Sequence, residues 1–253
     1  MPVADENKIL FISPWITIEQ EWTTKSPYYF KATPSDRNGI RGIIADLQKK
    51  GLKKIVLLYS NNTWSFGYIN IIKDELKKVK DIVVLEELKT NQDTNDYRTE
   101  IAKIRSLKPD ALWFAISTDD GHGVFSKQMV EQGVGLPLYV YEGRVTSSIL
   151  QDRFGQYIIG QLYPSTKKYR RMEEFDEKFE KRFGRKSGAI SGATAYDMTT
   201  LVLMAIKNGA KNTKDIRSYL LNVKDYDGYS NKISFDKDGR VVAPEEIVIK
   251  RVE

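Results

Sequence analysis

The chain contains no cysteine and a single histidine, His122, among 253 residues. The first absence excludes disulfides, thiol catalysis and thiolate metal sites, while leaving the redox compartment open. The second excludes any metal centre built from several imidazoles. No apolar run approaches the roughly 20 residues of a membrane-spanning helix, and Met1–Lys8 lacks the charged and apolar regions of a secretory signal. No Gly-x-Ser-x-Gly, Walker loop or Gly-x-Gly-x-x-Gly opens a helix, so nucleophile-elbow and nucleotide-cradling chemistries have no motif to rest on. The formal charge of +6 is a small surplus of 40 basic over 34 acidic residues. Its basic runs, Lys77-Lys78-Val79-Lys80 and Lys167-Lys168-Tyr169-Arg170-Arg171, lie among acids such as Glu173, Glu174 and Glu177. That interleaving suits solvated helix faces better than a phosphate backbone, and no nucleic-acid partner is expected.

What the chain does have is four short apolar runs that each end in a polar cluster: ISPWIT at Ile12–Thr17, YSNN at Tyr59–Asn62, STDDGH at Ser117–His122 and YEGR at Tyr141–Arg144. Ile55–Tyr59, Ile82–Leu85, Ala111–Ile116 and Leu138–Tyr141 are continuous rather than alternating in hydrophobicity, as strands buried on both faces are. Between them come helical spacings at Ile40, Ile43, Ile44 and Leu47, at Ile69, Ile72 and Leu76, at Ile101, Ile104 and Leu107, and from Val124 to Val130. Crossovers of this length join parallel strands, so the pattern predicts a doubly wound α/β sheet over about 36–165. Ser35-Asp36 and Asn95-Asp96 are placed to open helices, and Gly51 and Gly133 to close them. After Pro164 the pattern changes to helices at Tyr169–Arg182, Ala189–Asn208 and Thr213–Val223. A β-hairpin is expected across Gly228–Asp236 and Arg240–Lys250, turning at Asp236-Lys237-Asp238-Gly239.

In an open α/β sheet, ligands sit outside the carboxyl ends of the strands, so the four clusters describe the wall of a small-molecule pocket. Thr17, Ser117 and Thr118 offer hydroxyls, Trp64 a flat apolar surface and Glu142 a carboxylate behind a buried strand. A carboxylate in such a cleft needs a cation, and a ligand ammonium would satisfy it. Pairing of Glu142 with Arg144 or a lysine is the structural alternative, as ordinary packing is for Trp64. Asp119-Asp120 suits a helix N-terminus better than a Mg²⁺ site, and His122 in the same turn reads as structural or exposed.

ENKILFISPWIT with TTKSPYYFKATPSDRNGIRG, GLKKIVLLYSNNTWSFG, the Asp96-Tyr97-Arg98 stretch, LKPDALWFA, VYEG, SGATAYD and YDGYSNKISFDKDG follow one another in the order and spacing of a known family. The chain resembles, over essentially its whole length, the type I periplasmic binding proteins of the leucine/isoleucine/valine-binding class. These are the solute receptors of branched-chain amino acid ABC transporters. The resemblance implies two α/β lobes of doubly wound parallel sheets, a cleft that closes on the ligand, no enzymatic activity and no cofactor. It also implies an ABC permease as partner and a periplasmic or extracellular, membrane-associated location.

Residue by residue, the resemblance puts Trp15, Ile16 and Thr17 where the first lobe grips the ligand's charged ends. Trp64 falls where an aromatic ring of the second lobe covers the ligand. Thr118, beside Ser117, stands near another ligand-facing aromatic position and departs from it. Glu142 matches the acid that takes the ammonium group. By the same comparison, 36–165 form the second lobe, and 1–35 with 166–253 form the first lobe and the C-terminal hairpin. The family's opening strands have no counterpart before Met1, so the first lobe is expected to be incomplete and the chain prone to self-association and weak binding. A sensory or regulatory module of the same fold is the alternative function.

Overall fold

The computed structural model describes residues 2–15, 26–166, 169–185, 187, 190–242 and 247–253. Along these the elements are α1 (Pro2–Glu6), β1 (Phe11–Ser13), β2 (Tyr29–Lys31), α2 (Arg37–Lys49), β3 (Lys54–Ser60), α3 (Thr63–Leu76) and β4 (Val83–Thr90). They continue as α4 (Arg98–Leu107), β5 (Ala111–Ala115), α5 (Asp119–Glu131), β6 (Leu138–Tyr139), α6 (Glu142–Val145), α7 (Ser148–Ile158) and β7 (Leu162–Thr166). The last are α8 (Met172–Phe183), α9 (Ile190–Lys207), α10 (Thr213–Leu221), β8 (Tyr226–Asp227), β9 (Lys232–Ile233) and β10 (Ile247–Arg251). Two compact units result, one of Met1–Ser35 with Lys167–Glu246, the other of Asp36–Thr166 with Ile247–Glu253.

The second unit is a six-stranded sheet in the order β10-β7-β6-β5-β3-β4. Its central strands are hydrophobic on both sides because helices cover both faces: β5 is buried throughout, and β3 after Lys54. α2 turns Ile40, Ile43, Ile44 and Leu47 into the core, the spacing of one helix face. It ends before Gly51, whose φ of +68° a side chain would resist. On the opposite face Tyr97, Ile101, Ile104, Phe125 and Met129 of the α4 and α5 segments pack on Val56, Leu58, Leu112 and Phe114.

The expected hairpin is half realised. The Asp236–Gly239 turn forms, with the Asp236 N–H donating to the Arg240 carbonyl at 2.9 Å and that of Val242 to Ser234 at 2.8 Å. The return strand does not continue through Lys250, however. Residues 247–251 pair antiparallel with β7, Ile247 opposite Thr166 and Arg251 opposite Leu162, and so belong to the other unit. The reason is packing: Ile247 fits against Gly42 of α2, where a Cβ would come within 2.5 Å of its side chain. Alternating apolar residues identify a strand without saying which edge it completes.

In the first unit, β1 lies parallel to β2, with Phe11 opposite Tyr29. Phe30, Met198, Leu201, Leu220, Ile233 and Phe235 make its main core, and Met172, Phe175, Ala193 and Tyr229 a smaller one. The Asp197 carboxylate, fully buried on α9, accepts from the backbone N–H groups of Tyr229 and Ser230 at 2.8 and 2.7 Å and from the Ser230 hydroxyl at 2.6 Å. Leu203, Met204 and Ile206 on α9 are exposed, the surface on which the expected self-association rests.

Candidate functional site

From β3 the chain runs outward to β4, then returns past β3 to β5 and on to β6 and β7. The winding therefore reverses between β3 and β5, and the crevice outside their carboxyl ends is where such sheets bind ligands. Three of the four sequence clusters meet along this edge: Ser60-Asn61-Asn62 after β3, Ser117-Thr118 after β5, and Tyr141-Glu142 after β6.

The hydroxyls and amides here tie adjacent strand ends together. Asn62 caps α3 by accepting from the Ser65 N–H at 3.0 Å, and its amide donates to the Ser117 hydroxyl at 2.8 Å. Thr118 caps α5, its hydroxyl accepting from the Gly121 N–H at 3.1 Å. Asp119 and Asp120 occupy the first turn of α5, where their charge suits the helix dipole. Both are engaged by arginines: Asp119 by Arg144 at 2.7 Å, and Asp120 by Arg153.

Trp64, partly buried on α3, stacks on Tyr68 at 5.5 Å and meets the edge of Tyr141 at 5.1 Å. Tyr68 is itself buried, and Tyr141 leads directly into Glu142. Sequence reasoning singled out Trp64 but passed over Tyr141 and Asn62. Both stand inside clusters already recognised; their signal was position at a strand end, not residue type.

Glu142 opens the short helix α6 with a half-buried side chain. Burial raises the pKa of its carboxyl above the ordinary value, and a hydrogen bond from Ser165 and the charge of Lys250 offset only part of that. Among the described residues no cation stands within ion-pair distance of it. Arg144, the nearest candidate in sequence, gives one guanidinium nitrogen to Asp119 and another to the Ser117 carbonyl at 2.6 Å.

His122 is buried, its Nε2 2.8 Å from Gln161 Oε1, while the Gln161 amide donates to the Ser126 hydroxyl at 2.8 Å. Burial brings its pKa down to about 4 even though the Gln161 contact favours protonation. It serves the interior of the lobe. Of the first-unit candidates, Trp15 is half exposed just beyond β1. Ile16 and Thr17 lie outside the described residues.

The winding reversal of the second unit thus carries a polar and aromatic rim at the edge where open α/β sheets hold ligands. Residues 1–248 match the family model of periplasmic binding proteins, and the chain belongs to that family. Among solved structures it is similar to the leucine-binding protein LivK of Thermotoga maritima, with a TM-score of 0.83 and 19% identity over 100% of this chain and 72% of that one. It is also similar to LivJ of Streptococcus pneumoniae in complex with isoleucine, TM-score 0.78 and 20% identity over 98% and 74% of the two chains. A solute-binding protein of R. palustris in complex with benzoate superposes with a TM-score of 0.80 at 16% identity, over 100% and 70%. The fold is therefore the mixed α/β type I periplasmic-binding-protein fold. A curated relative, glutamate receptor 2.2 of Arabidopsis thaliana, is 24% identical over 220 residues, 83% of this chain. The chain spans only 24% of that receptor's length.

Proposed function

We propose that this protein captures an amino acid, or a closely related amine-bearing small molecule, for an ABC transporter, without chemical turnover, on the outer side of the cytoplasmic membrane. The observation that carries the reading is Glu142. A carboxylate half removed from water at a strand end, with no described cation at ion-pair distance, is a receptor for a ligand ammonium group. Trp64 and Tyr141 beside it offer the ligand an apolar wall, and Trp15, Ile16 and Thr17 of the first unit are proposed to meet its other end. Family membership and the fold shared with leucine- and isoleucine-binding proteins support the same reading, with a permease as the partner. No helix among the described residues is long and apolar enough to cross a membrane, so in this reading translocation falls to that partner.

The choice that needs deciding is between amino acids and aromatic acids, since one protein of this fold is in complex with benzoate. The charge of Glu142 favours the amino acid. A second anion beside it is repelled, while an α-ammonium is attracted. Calorimetric titration of the full-length protein with single amino acids and with benzoate tests this: heat from an amino acid alone supports the proposal, and heat from benzoate alone refutes it. A sensory module is the second reading, favoured by the similarity to part of a plant glutamate receptor. Impaired amino-acid uptake on deleting the gene speaks for transport, and unimpaired uptake with a lost transcriptional or signalling response speaks for sensing.

A further inference from the structure

The parallel βαβ arrangement brings the carboxyl ends of α2, α3 and α4 to the same end of the second unit as the amino ends of β3, β4 and β5. This is the end opposite Trp64 and Glu142. Lysines are abundant there, since cations suit helix carboxyl ends, but they exceed what local pairing uses. Lys50, Lys77 and Lys78 are paired, with Asp46, Asp74 and Glu75. Lys49, Lys53, Lys54, Lys80, Arg105 and Lys108 are all exposed and form no ion pair among the described residues. Further acids reach this end: Asp81 and Asp110, Glu131 at the carboxyl end of α5, which pairs with Lys127, and Glu253 after β10, whose Arg251 lies opposite Leu162 at the amino end of β7. Asp110 accepts the backbone N–H groups of Lys53 and Lys54 at 2.9 and 2.8 Å, and Asp81 accepts from the Gln48 amide at 2.9 Å.

We infer that this end of the second unit is an electrostatic docking face for an anionic phospholipid surface. Five of the six unpaired cations are lysines, point charges on flexible stems. Lysine is depleted from protein–protein interfaces, where arginine and aromatic anchors dominate; among the described residues no exposed aromatic ring stands in this set, and the one concavity beside it, lined by Arg105, Lys108, Val134 and Leu136, lies at its margin. Headgroup phosphates and carboxylates in a fluid leaflet make no geometric demand, and each nearby cation strengthens adsorption several-fold. The inference is independent of the ligand proposed above.

The test is sedimentation with vesicles of phosphatidylcholine containing about 30% phosphatidylglycerol, against pure phosphatidylcholine, in about 50 mM salt. The wild-type protein is expected to sediment with the anionic vesicles only and to be released at about 0.5 M salt. Replacing Lys49, Lys54 and Lys80 together by Gln is expected to weaken binding about a hundredfold. Replacing Lys207, Lys211 and Lys214 by Gln removes the same charge elsewhere and is expected to leave binding within a few-fold of wild type. Far-UV circular dichroism checks that both variants remain folded. Failure of the wild type to bind anionic vesicles overturns the inference, as does equal loss in the two triple variants, which would reflect net charge alone. Equal or tighter binding to duplex DNA in the same salt also overturns it, marking a generic polyanion surface.

Discussion

Arg144 donates to the Asp119 carboxylate at 2.7 Å and to the Ser117 carbonyl at 2.6 Å, holding the loop after β6 against the end of β5. The consequence falls on its neighbour. With that guanidinium engaged, Glu142 faces the carboxyl edge of the sheet with its burial cost only partly offset by Ser165 and Lys250.

Glu142→Gln is therefore expected to weaken amino-acid binding by about 2–5 kcal/mol, the cost of removing one member of a desolvated charge pair. Titration calorimetry reads it directly. Affinity is also expected to fall on acidification at a pH above the ordinary glutamate value of 4.5, because the raised pKa protonates the carboxyl early. An affinity that stays level until well below that value removes Glu142 from the site.

Trp64 touches Tyr68 and Tyr141, and a ligand placed against this cluster changes the polarity around the indole. Ligand addition should shift the emission of the wild-type protein, and most of that shift should vanish in Trp64→Phe. An undiminished shift in the variant places the ligand elsewhere.

Glu75 is buried on α3. Burial alone would raise its pKa, but hydrogen bonds from Arg41, Lys78 and Arg37 outweigh that and bring it down to about 2. Its contribution to stability is complete above the unfolded value of 4.5 and is lost as the pH falls toward 2. Because Arg41 and Lys78 are half exposed, Glu75→Ala should cost about 3 kcal/mol, the low end for a broken buried pair. Urea unfolding at neutral pH and near pH 3 checks it, the difference from wild type shrinking at the lower pH.

His122 marks a separate window. Its neutral form is buried with a pKa of about 4, against 6.5 unfolded, so only the unfolded chain takes up a proton between these values. Stability falls as the pH drops from 6.5 toward 4, by about 3 kcal/mol over the full interval. His122→Gln should be less stable at pH 7, having lost the fit to Gln161, and its stability should be flatter across that window. A parallel pair of pH profiles would show that the imidazole does not set the slope.

Asp197 explains why SGATAYD and YDGYS belong together. The carboxylate on α9 holds the 229–230 backbone, and Gly228 allows the approach, since a Cβ there would lie 2.6 Å from Asp197 Oδ2. Asp197→Asn turns an acceptor into a donor facing donors, and should cost about 2–3 kcal/mol in chemical denaturation.

Much of the second unit was legible because its signals are local. Continuous apolar runs read as buried parallel strands, Gly51 and Gly133 as helix ends, and Asp119-Asp120 as a helix start, although the cap itself is Thr118, which reads in the sequence as a ligand hydroxyl. What escaped depends on partners distant in sequence. Alternation along 247–251 does not reveal that Ile247 seats on Gly42 and that the strand closes the far edge beside β7. Tyr97, rather than Asn95-Asp96, stands at the start of α4, because its ring is needed in the core against Phe125. At the site, the polar clusters were visible as strand ends, but the choice of Asp119 over Glu142 by Arg144 is a matter of three-dimensional reach.

The central claim, an amine-bearing ligand held at Glu142, is tested most directly by titrating the full-length protein and its Glu142→Gln form with leucine, isoleucine, valine, glutamate and benzoate in one calorimeter series. The account predicts saturable heat from at least one amino acid, none from benzoate, and a loss of at least about thirtyfold in affinity in the variant. Binding of benzoate alone, or amino-acid binding that is equally tight in Glu142→Gln, would contradict it.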